Sequence, residues 1–324
     1  MYDIKELQKL FEDYTRKQEL EGEPKNLYDS FHYMLNLPAK RLRPVLLMMA
    51  CELFGTSAKR ALPQAFAIEL FHNFSLIHDD IMDAAPLRRG KPTVYKKFGE
   101  TTAILSGDAM LVYAYQYLIQ VNKKTVQKLL EVFNSCAVKV CEGQQLDMNY
   151  EATENISLED YLKMIELKTA TLIATSLQIG AIIGGASHRD LKHMFNFGRN
   201  LGISFQLKDD WLDAFGREDK VGKRRGGDIV QNKKTFLMLE ALAQADPETS
   251  SRLKELYASK KLEVEGKVSQ VLGIFQQLGI SELSEKTVNK YYSKALSDLD
   301  KINVPSKRKE PLKEIAARLL QREN

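Results

Sequence analysis

The sequence predicts an all-α fold, a single-domain large helical bundle spanning residues 1–324, and three observations predict it. Apolar residues recur at helical spacing almost from end to end. No stretch alternates in the manner of a half-buried strand, and glycine and proline breaks fall in short polar loops. With 324 residues, 44% hydrophobic and 28% charged, the chain can bury a sizeable core, and wholesale disorder is excluded.

Along the chain, Ile4, Leu7, Leu10, Phe11 and Tyr14 keep the i, i+3, i+4 spacing of an amphipathic helix. Long helical candidates follow near 42–54, 62–83, 101–120, 125–149, 158–183 and 188–215. Shorter ones follow near 234–243, 249–278, 282–301 and 310–322. Ser157-Leu158-Glu159-Asp160 predicts a capping box at one start, and Asp246-Pro247 sets a capping residue before a proline at another. Two interruptions stand out, AAPLRRGKP at 84–92 and GREDKVGKRRGGDIVQNKK at 216–234. Both are basic, both carry glycine, and both follow an aspartate-rich helix end, so connections at one end of the bundle are expected to carry function.

The bulk numbers exclude several classes. A net charge of +4 with no dense basic tract among aromatics argues against nucleic acid. Cys51, Cys136 and Cys141 are odd in number and form no CxxC pair, and they read as small buried hydrophobes in a reducing cytoplasm. The start, Met1-Tyr2-Asp3-Ile4-Lys5-Glu6, has no basic region followed by an apolar one, so a secretory signal is not expected and the location expected is cytoplasmic. Thr169 to Ser187 is uncharged over the length of a membrane span. It stands alone, however, and carries Thr171, Thr175, Ser176 and Gln178, which suits a central bundle helix better; no membrane span is expected.

Two acidic motifs carry the chemistry, Asp79-Asp80-Ile81-Met82-Asp83 and Asp209-Asp210-Trp211-Leu212-Asp213. In each, the first and last aspartates are at i and i+4, on one helix face with about 6 Å of rise between them. Carboxylates so placed repel unless a hard cation sits between them. Magnesium suits, because it keeps waters and is completed by substrate phosphates rather than caged by protein. Two such clusters on facing helices could grip one diphosphate. A single acidic triplet usually marks a solvated helix end, but both of these follow strongly apolar turns (Phe71, Phe74, Ile77; Ile203, Phe205, Leu207), and acidic groups at a helix C-terminus oppose its dipole.

Basic residues accompany them. Arg88 and Arg89 follow the first motif; Lys223, Arg224, Arg225, Lys233 and Lys234 follow the second; Lys40-Arg41-Leu42-Arg43-Pro44 opens an early helix. Arginine forks and lysine ammonium groups suit phosphate oxygens, although for Arg224, Arg225 and Lys234 a plain surface role is preferred. Lys168, in a long uncharged helical run, is costly unless something negative pairs with it. His72 lies two helical turns before Asp79, on the same face, where a core role and a ligand role compete evenly.

Taken together, these elements resemble the trans-isoprenyl (polyprenyl) diphosphate synthases of the short-chain, farnesyl or geranylgeranyl type. The motifs that carry the resemblance run from about residue 39 to 240: AKRLRP with Ala39 in place of a glycine, DDIMDAAPLRRGKPT, Gly143-Gln144-Gln145-Leu146-Asp147, Lys168-Thr169, FQLKDDWLD, and GKRRGGDIVQNKKT with Asn232 in place of a common glycine. The resemblance implies a bundle of the isoprenoid synthase type with a central active-site cavity. It implies a homodimer and magnesium, three ions with substrate bound. Asp79 and Asp83 would be metal ligands with Asp80 in support, and Asp209 the main ligand of the second set, with Asp210 and Asp213 acting through water. Arg88, Lys168, Lys223 and Lys233 would hold an allylic diphosphate (dimethylallyl, geranyl or farnesyl). Lys40, Arg43, His72 and Arg89 would hold isopentenyl diphosphate, and Thr169, Gln206 and the Lys168 carbonyl would face the allylic cation.

The product tail would extend from the first motif past the preceding turns of its helix. Phe74 lies five residues before Asp79, Ser75 four and Phe71 eight. In the family an aromatic at the Phe74 position accompanies short products, so a product of about fifteen to twenty carbons is expected, leaning to twenty. The alternatives are a longer-chain synthase, a terpene cyclase, or a non-catalytic partner subunit. The last two would lack use for, or have lost, charged groups that this chain keeps.

Overall fold

Asp3 opens the first helix. Its carboxylate accepts the Glu6 backbone N–H (2.8 Å) while the Glu6 carboxylate accepts that of Asp3 (2.7 Å), a reciprocal cap that starts α1 (Ile4–Thr15). The computed structural model describes residues 2–153, 155–216, 225–259 and 263–321. Within them follow α2 (Lys25–Leu35), α3 (Leu42–Leu53), α4 (Leu62–Met82), α5 (Val94–Phe98), α6 (Glu100–Leu118), α7 (Lys123–Ala152), α8 (Leu158–Ile165), α9 (Thr171–Gly184) and α10 (His188–Phe215). The later helices are α11 (Gly227–Val230), α12 (Phe236–Gln244), α13 (Pro247–Ala258), α14 (Val264–Gln277), α15 (Ile280–Asp300) and α16 (Ser306–Leu320). The all-α expectation holds. Among the described residues the only strands are β1 (Leu87–Arg88) and β2 (Lys91–Pro92), an antiparallel pair with Leu87 opposite Pro92 and Arg88 opposite Lys91.

Both predicted caps are present. Ser157 accepts the Asp160 N–H (3.1 Å) at the start of α8, and Asp246 accepts the Thr249 N–H (2.9 Å) at the start of α13. Three expectations change. Helix α2 lies where none is expected, burying Phe31, Met34 and Leu35. The candidate at 249–278 is two helices, α13 and α14. The candidate at 158–183 is interrupted by a π turn at Glu166–Ala170, in which the Thr171 N–H donates five residues back to the Glu166 carbonyl.

The chain divides into two compact units. The first comprises Met1–Ser135, Thr175–Phe195 and Ile302–Leu312. Its centre is α3, in which every residue from Val45 to Cys51 is fully buried, so this helix is apolar on all sides. Helix α4 packs along α6 and against α3. The second unit comprises Cys136–Ala174, Asn196–Lys301 and Lys313–Asn324. Its core gathers Tyr161, Met164, Leu207, Phe236, Leu253 and Phe275.

Among the described residues one helical run, Leu158–Gly184, is long and apolar enough to cross a membrane, and 72% of its most apolar window is buried inside the protein. Cys51 and Cys136 are buried as expected, and burial pushes the Cys51 thiol up to about 12. Cys141 is exposed, against expectation, because it falls on an outward position of α7.

Candidate active site

In the first unit, α4 ends at Met82 with Asp83 as its C-cap, so the first aspartate motif closes the helix. A 100° turn per residue separates its members. Asp79 is half-buried and Asp83 exposed, whereas Asp80 points inward and is 2% exposed. Arg88 grips Asp80 with both oxygens, Nε to Oδ2 and Nη2 to Oδ1, each at 2.7 Å. Burial raises the Asp80 carboxyl above its ordinary value, and the Arg88 fork pulls the other way.

The hairpin β1–β2 delivers that fork. Its turn residues, Arg89 and Gly90, have φ of +54° and +74°, the signs of a type I′ turn. Arginine is unusual there and strained by about 1–2 kcal/mol, and the strain carries the Arg89 guanidinium inward. Its Nη1 is buried with no hydrogen-bond partner, and burial lowers the Arg89 pKa. Nearby, Arg43 Nη1 donates to His72 Nε2 (3.0 Å). Burial, then the charges of Arg43, Arg89, Arg88 and Arg41, hold the His72 pKa well below its ordinary 6.5, so the ring is a neutral acceptor. Arg41, the N-cap of α3, turns away to Glu69 (2.5 Å), which is buried. Lys40 is exposed, and its carbonyl accepts Gln8 Nε2 (2.7 Å).

In the second unit a cavity of about 240 Å³ is lined by Lys168, Thr169, Gln206, Asp210, Lys233 and Asp147, among others. Five of these six were assigned roles from the sequence. The π turn presents two of them, and glycines allow its neighbours to touch it. A Cβ on Gly143 of α7 would lie 2.3 Å from the Lys168 nitrogen, and one on Gly202 of α10 would lie 2.5 Å from Ala170 Cα. Lys168 meets the negative partner its setting demands: Nζ donates to Asp147 Oδ2 at 2.5 Å. Thr169 Oγ1 donates to Gln206 Oε1 (3.1 Å) and Gln206 Nε2 donates to Asp210 Oδ1 (3.1 Å), which fixes the direction of the Gln206 amide.

Asp210, 4% exposed, repeats the pattern of Asp80. Its second oxygen accepts the Tyr161 hydroxyl, and burial pushes its carboxyl well above the ordinary range, with Asp228 adding to the shift. Asp209 and Asp213 are half-buried one turn apart on α10. Asp213 Oδ2 accepts the Asp228 N–H (3.0 Å) and its carbonyl accepts that of Gly226 (2.8 Å), so the motif also shapes the loop that follows. Asn232 has φ +58°, a left-handed conformation that favours glycine, and Lys267 of α14 donates to its side chain. Lys223 and Arg224 lie outside the described residues. Arg225 and Lys234, read from the sequence as surface charges, instead hold helix ends: Arg225 Nε donates to the Ala214 carbonyl (2.5 Å), and Lys234 Nζ donates to the Tyr150 (2.8 Å) and Glu151 (3.2 Å) carbonyls.

The donors fit magnesium. The i, i+4 pairs Asp79/Asp83 and Asp209/Asp213 offer hard carboxylate oxygens, one pair in each unit. Such an open set suits an ion completed by water and phosphate. Of the proposed chain-length residues, Phe71 is buried, Phe74 half-buried, and Ser75 Oγ donates to the His72 carbonyl (2.9 Å). Sequence reasoning assigned no role to Asp147 or Tyr161. A signal existed for Asp147, since Lys168 required an anion; for Tyr161 there was none, because its partner is 49 residues away.

Residues 24–275 match the family model for polyprenyl synthetase. A geranylgeranyl diphosphate synthase of Methanosarcina mazei is 41% identical over 220 residues, 67% of this chain and 68% of that protein. A solved structure of a geranylgeranyl pyrophosphate synthase superimposes with a TM-score of 0.95 at 40% identity, covering 100% of both chains. That of the geranylgeranyl pyrophosphate synthase from Corynebacterium glutamicum, complexed with isoprenyl diphosphate and magnesium, gives 0.82 at 26% identity, covering 98% of this chain and 97% of that one. The chain belongs to the polyprenyl synthetase family and has its all-helical fold.

Proposed function

We propose that this protein joins isopentenyl diphosphate head-to-tail to an allylic diphosphate, giving a trans prenyl diphosphate of about fifteen to twenty carbons. The observation that carries the reading is the cavity in which Lys168 and Lys233 stand beside Thr169 and Gln206, cations for a diphosphate next to dipoles for a carbocation. Ionisation breaks the allylic carbon–oxygen bond, and the electron pair leaves with the diphosphate, which Lys168 and Lys233 stabilise by charge. Asp147 holds Lys168 until a phosphate competes for its ammonium. The Thr169–Gln206–Asp210 chain keeps its oxygens oriented and already hydrogen-bonded, so they solvate a cation without attacking it.

Isopentenyl diphosphate is held by Arg43, Arg89, Lys40 and neutral His72. Arg41 and Arg88 each face a carboxylate, and the partnerless Nη1 of Arg89 awaits an anion from outside. The alkene attacks the allylic carbon, and a proton leaves to the departed diphosphate. Asp79 and Asp83 in the first unit, and Asp209 and Asp213 in the second, would hold magnesium, three ions in all with both substrates bound, and the metal would supply charge neutralisation for the leaving group.

Two further parts complete the reading. Leu105 and Val112 of α6 and Ile119, its C-cap, recur every seven residues and are 55%, 59% and 46% exposed, an apolar stripe that suits pairing with a second copy. The location proposed is cytoplasmic, which an odd cysteine count with no CxxC pair suits.

Purified protein incubated with labelled isopentenyl diphosphate and dimethylallyl, geranyl or farnesyl diphosphate, with magnesium or EDTA, tests the function. Magnesium-dependent elongation stopping at fifteen or twenty carbons is expected. Folded protein that incorporates nothing with any primer would sink it.

A further inference from the structure

Phe74 is one member of a row of rings. It meets Phe71, one turn back on α4, with centroids 5.5 Å apart. Phe71 meets Phe133 of α7 edge-on at 5.2 Å, and Phe133 meets Tyr115 of α6 at 5.1 Å. The row is tied off where the Tyr115 hydroxyl donates to Asn134 Oδ1 (2.7 Å). Phe71 and Phe133 are fully buried, so the row cannot yield on that side without opening the core.

Toward the aspartates, the last member is His78. Its ring meets that of Phe74 edge-on, with centroids 4.8 Å apart at 67°. Nε2 of His78 donates to the carbonyl of Ile104 on α6 (3.1 Å), and Asp108 Oδ1 stands 3.8 Å from the same nitrogen. The imidazole fits there because residue 107 has no side chain. A Cβ on Gly107 would lie 2.3 Å from Nε2 and 2.6 Å from Cδ2. Glycine within a helix weakens it, so α6 gives up local stability to provide the notch.

We infer that His78, seated in the notch at Gly107, is a specificity-determining positioning residue that locks the Phe74 ring and thereby limits product length. A phenylalanine held on one side alone can change rotamer to admit a longer tail. Held between Phe71 and a histidine bonded to the backbone of α6, it cannot swing toward either neighbour without breaking a ring contact. His78 acts through Phe74 and touches no substrate. The inference rests on the reading of Phe74 as the floor of the tail pocket.

The test compares products of the full-length wild type, Phe74→Ala, His78→Ala, His78→Phe and Gly107→Ala, each with isopentenyl diphosphate, dimethylallyl diphosphate and magnesium. Products are dephosphorylated and sized. Phe74→Ala is expected to lengthen the main product by at least one isoprene unit. His78→Ala and Gly107→Ala should each raise the ratio of longer to wild-type product by about tenfold or more. His78→Phe, which keeps the ring contact but loses the bond to Ile104, should fall between. Longer products from Phe74→Ala with wild-type lengths from both His78→Ala and Gly107→Ala overturn the inference and leave the floor standing, as does a fall in rate without a change in length. Wild-type lengths from Phe74→Ala overturn the floor itself. If Gly107→Ala does not fold, the two His78 variants decide.

Discussion

Asp80 and Asp210 hold the same place in their motifs and meet the same fate. Each stands one residue past the first aspartate, so the helix turns it about 100° away from the face shared by its neighbours and into the protein. There Asp80 takes the Arg88 fork, and Asp210 takes Tyr161 and Gln206. On the proposed reading the motifs divide their labour, with outer aspartates for metal and inner ones for positioning cations and dipoles. Asp79→Asn or Asp83→Asn should lower kcat by about 10²–10³-fold and raise the magnesium needed for half-maximal rate. Asp80→Asn should instead cost about 2–3 kcal/mol of stability, since it breaks a largely buried pair. Activity would fall as Arg88 loses its place, with the magnesium requirement unchanged. A magnesium titration that moves equally for all three variants would refute the division.

His72 makes a second prediction at this scale. The folded protein holds its pKa well below 6.5 through burial and the four arginines, whereas in the unfolded chain it titrates near 6.5. Between those values the unfolded state binds one more proton. The stability associated with this position is thus full above about pH 6.5 and is lost as pH falls, by up to about 1.4 kcal/mol per unit. His72→Asn keeps an acceptor for Arg43 and removes the titration, so the slope of stability against pH between 6.5 and 5 should flatten. An unchanged slope in denaturant unfolding would show that other groups account for it.

At the scale of elements, what could be read from the sequence depended on where the cause lay. The ends of α4 and α10 were legible because aspartates and a glycine-bearing loop follow strongly apolar turns, all of it local. Helix α2 left a signal, Leu27, Phe31, Met34 and Leu35 at helical spacing, but a short one between prolines. The π turn left none. Glu166-Leu167-Lys168-Thr169-Ala170 contains neither glycine nor proline, and the glycines whose bare backbones press near it lie on α7 and α10. Gly143→Ala should therefore act at a distance in sequence, its Cβ forced against the backbone of Lys168. Overpacking of this kind costs about 1–3 kcal/mol. The rate at saturating substrate should fall further than the stability loss explains, because Lys168 and Thr169 are displaced together. A variant with lowered melting temperature but wild-type kcat would show that the turn tolerates the shift.

For the molecule as a whole, periodicity was enough to predict the helical class, because nearly every element buries an apolar stripe. Self-association had no such signal beyond resemblance. The contact proposed above rests on Leu105 and Val112 of α6 and on Ile119, its C-cap, exposed at a spacing of seven, as in helices that pack against a neighbour in parallel or antiparallel fashion. Covering this stripe with a second copy removes three large apolar side chains from water. Placing a carboxylate in such a contact leaves a charge to be desolvated without a partner. Leu105→Glu with Val112→Glu should thus raise the dissociation constant about a hundredfold or more, ~2.7 kcal/mol. Both positions are exposed in the single chain, so the fold should survive, and circular dichroism would confirm it. Light scattering at micromolar concentration should then give the mass of two chains for the wild type and of one for the double variant. A wild type that runs as one chain, or a double variant that still runs as two, would remove this stripe as the contact.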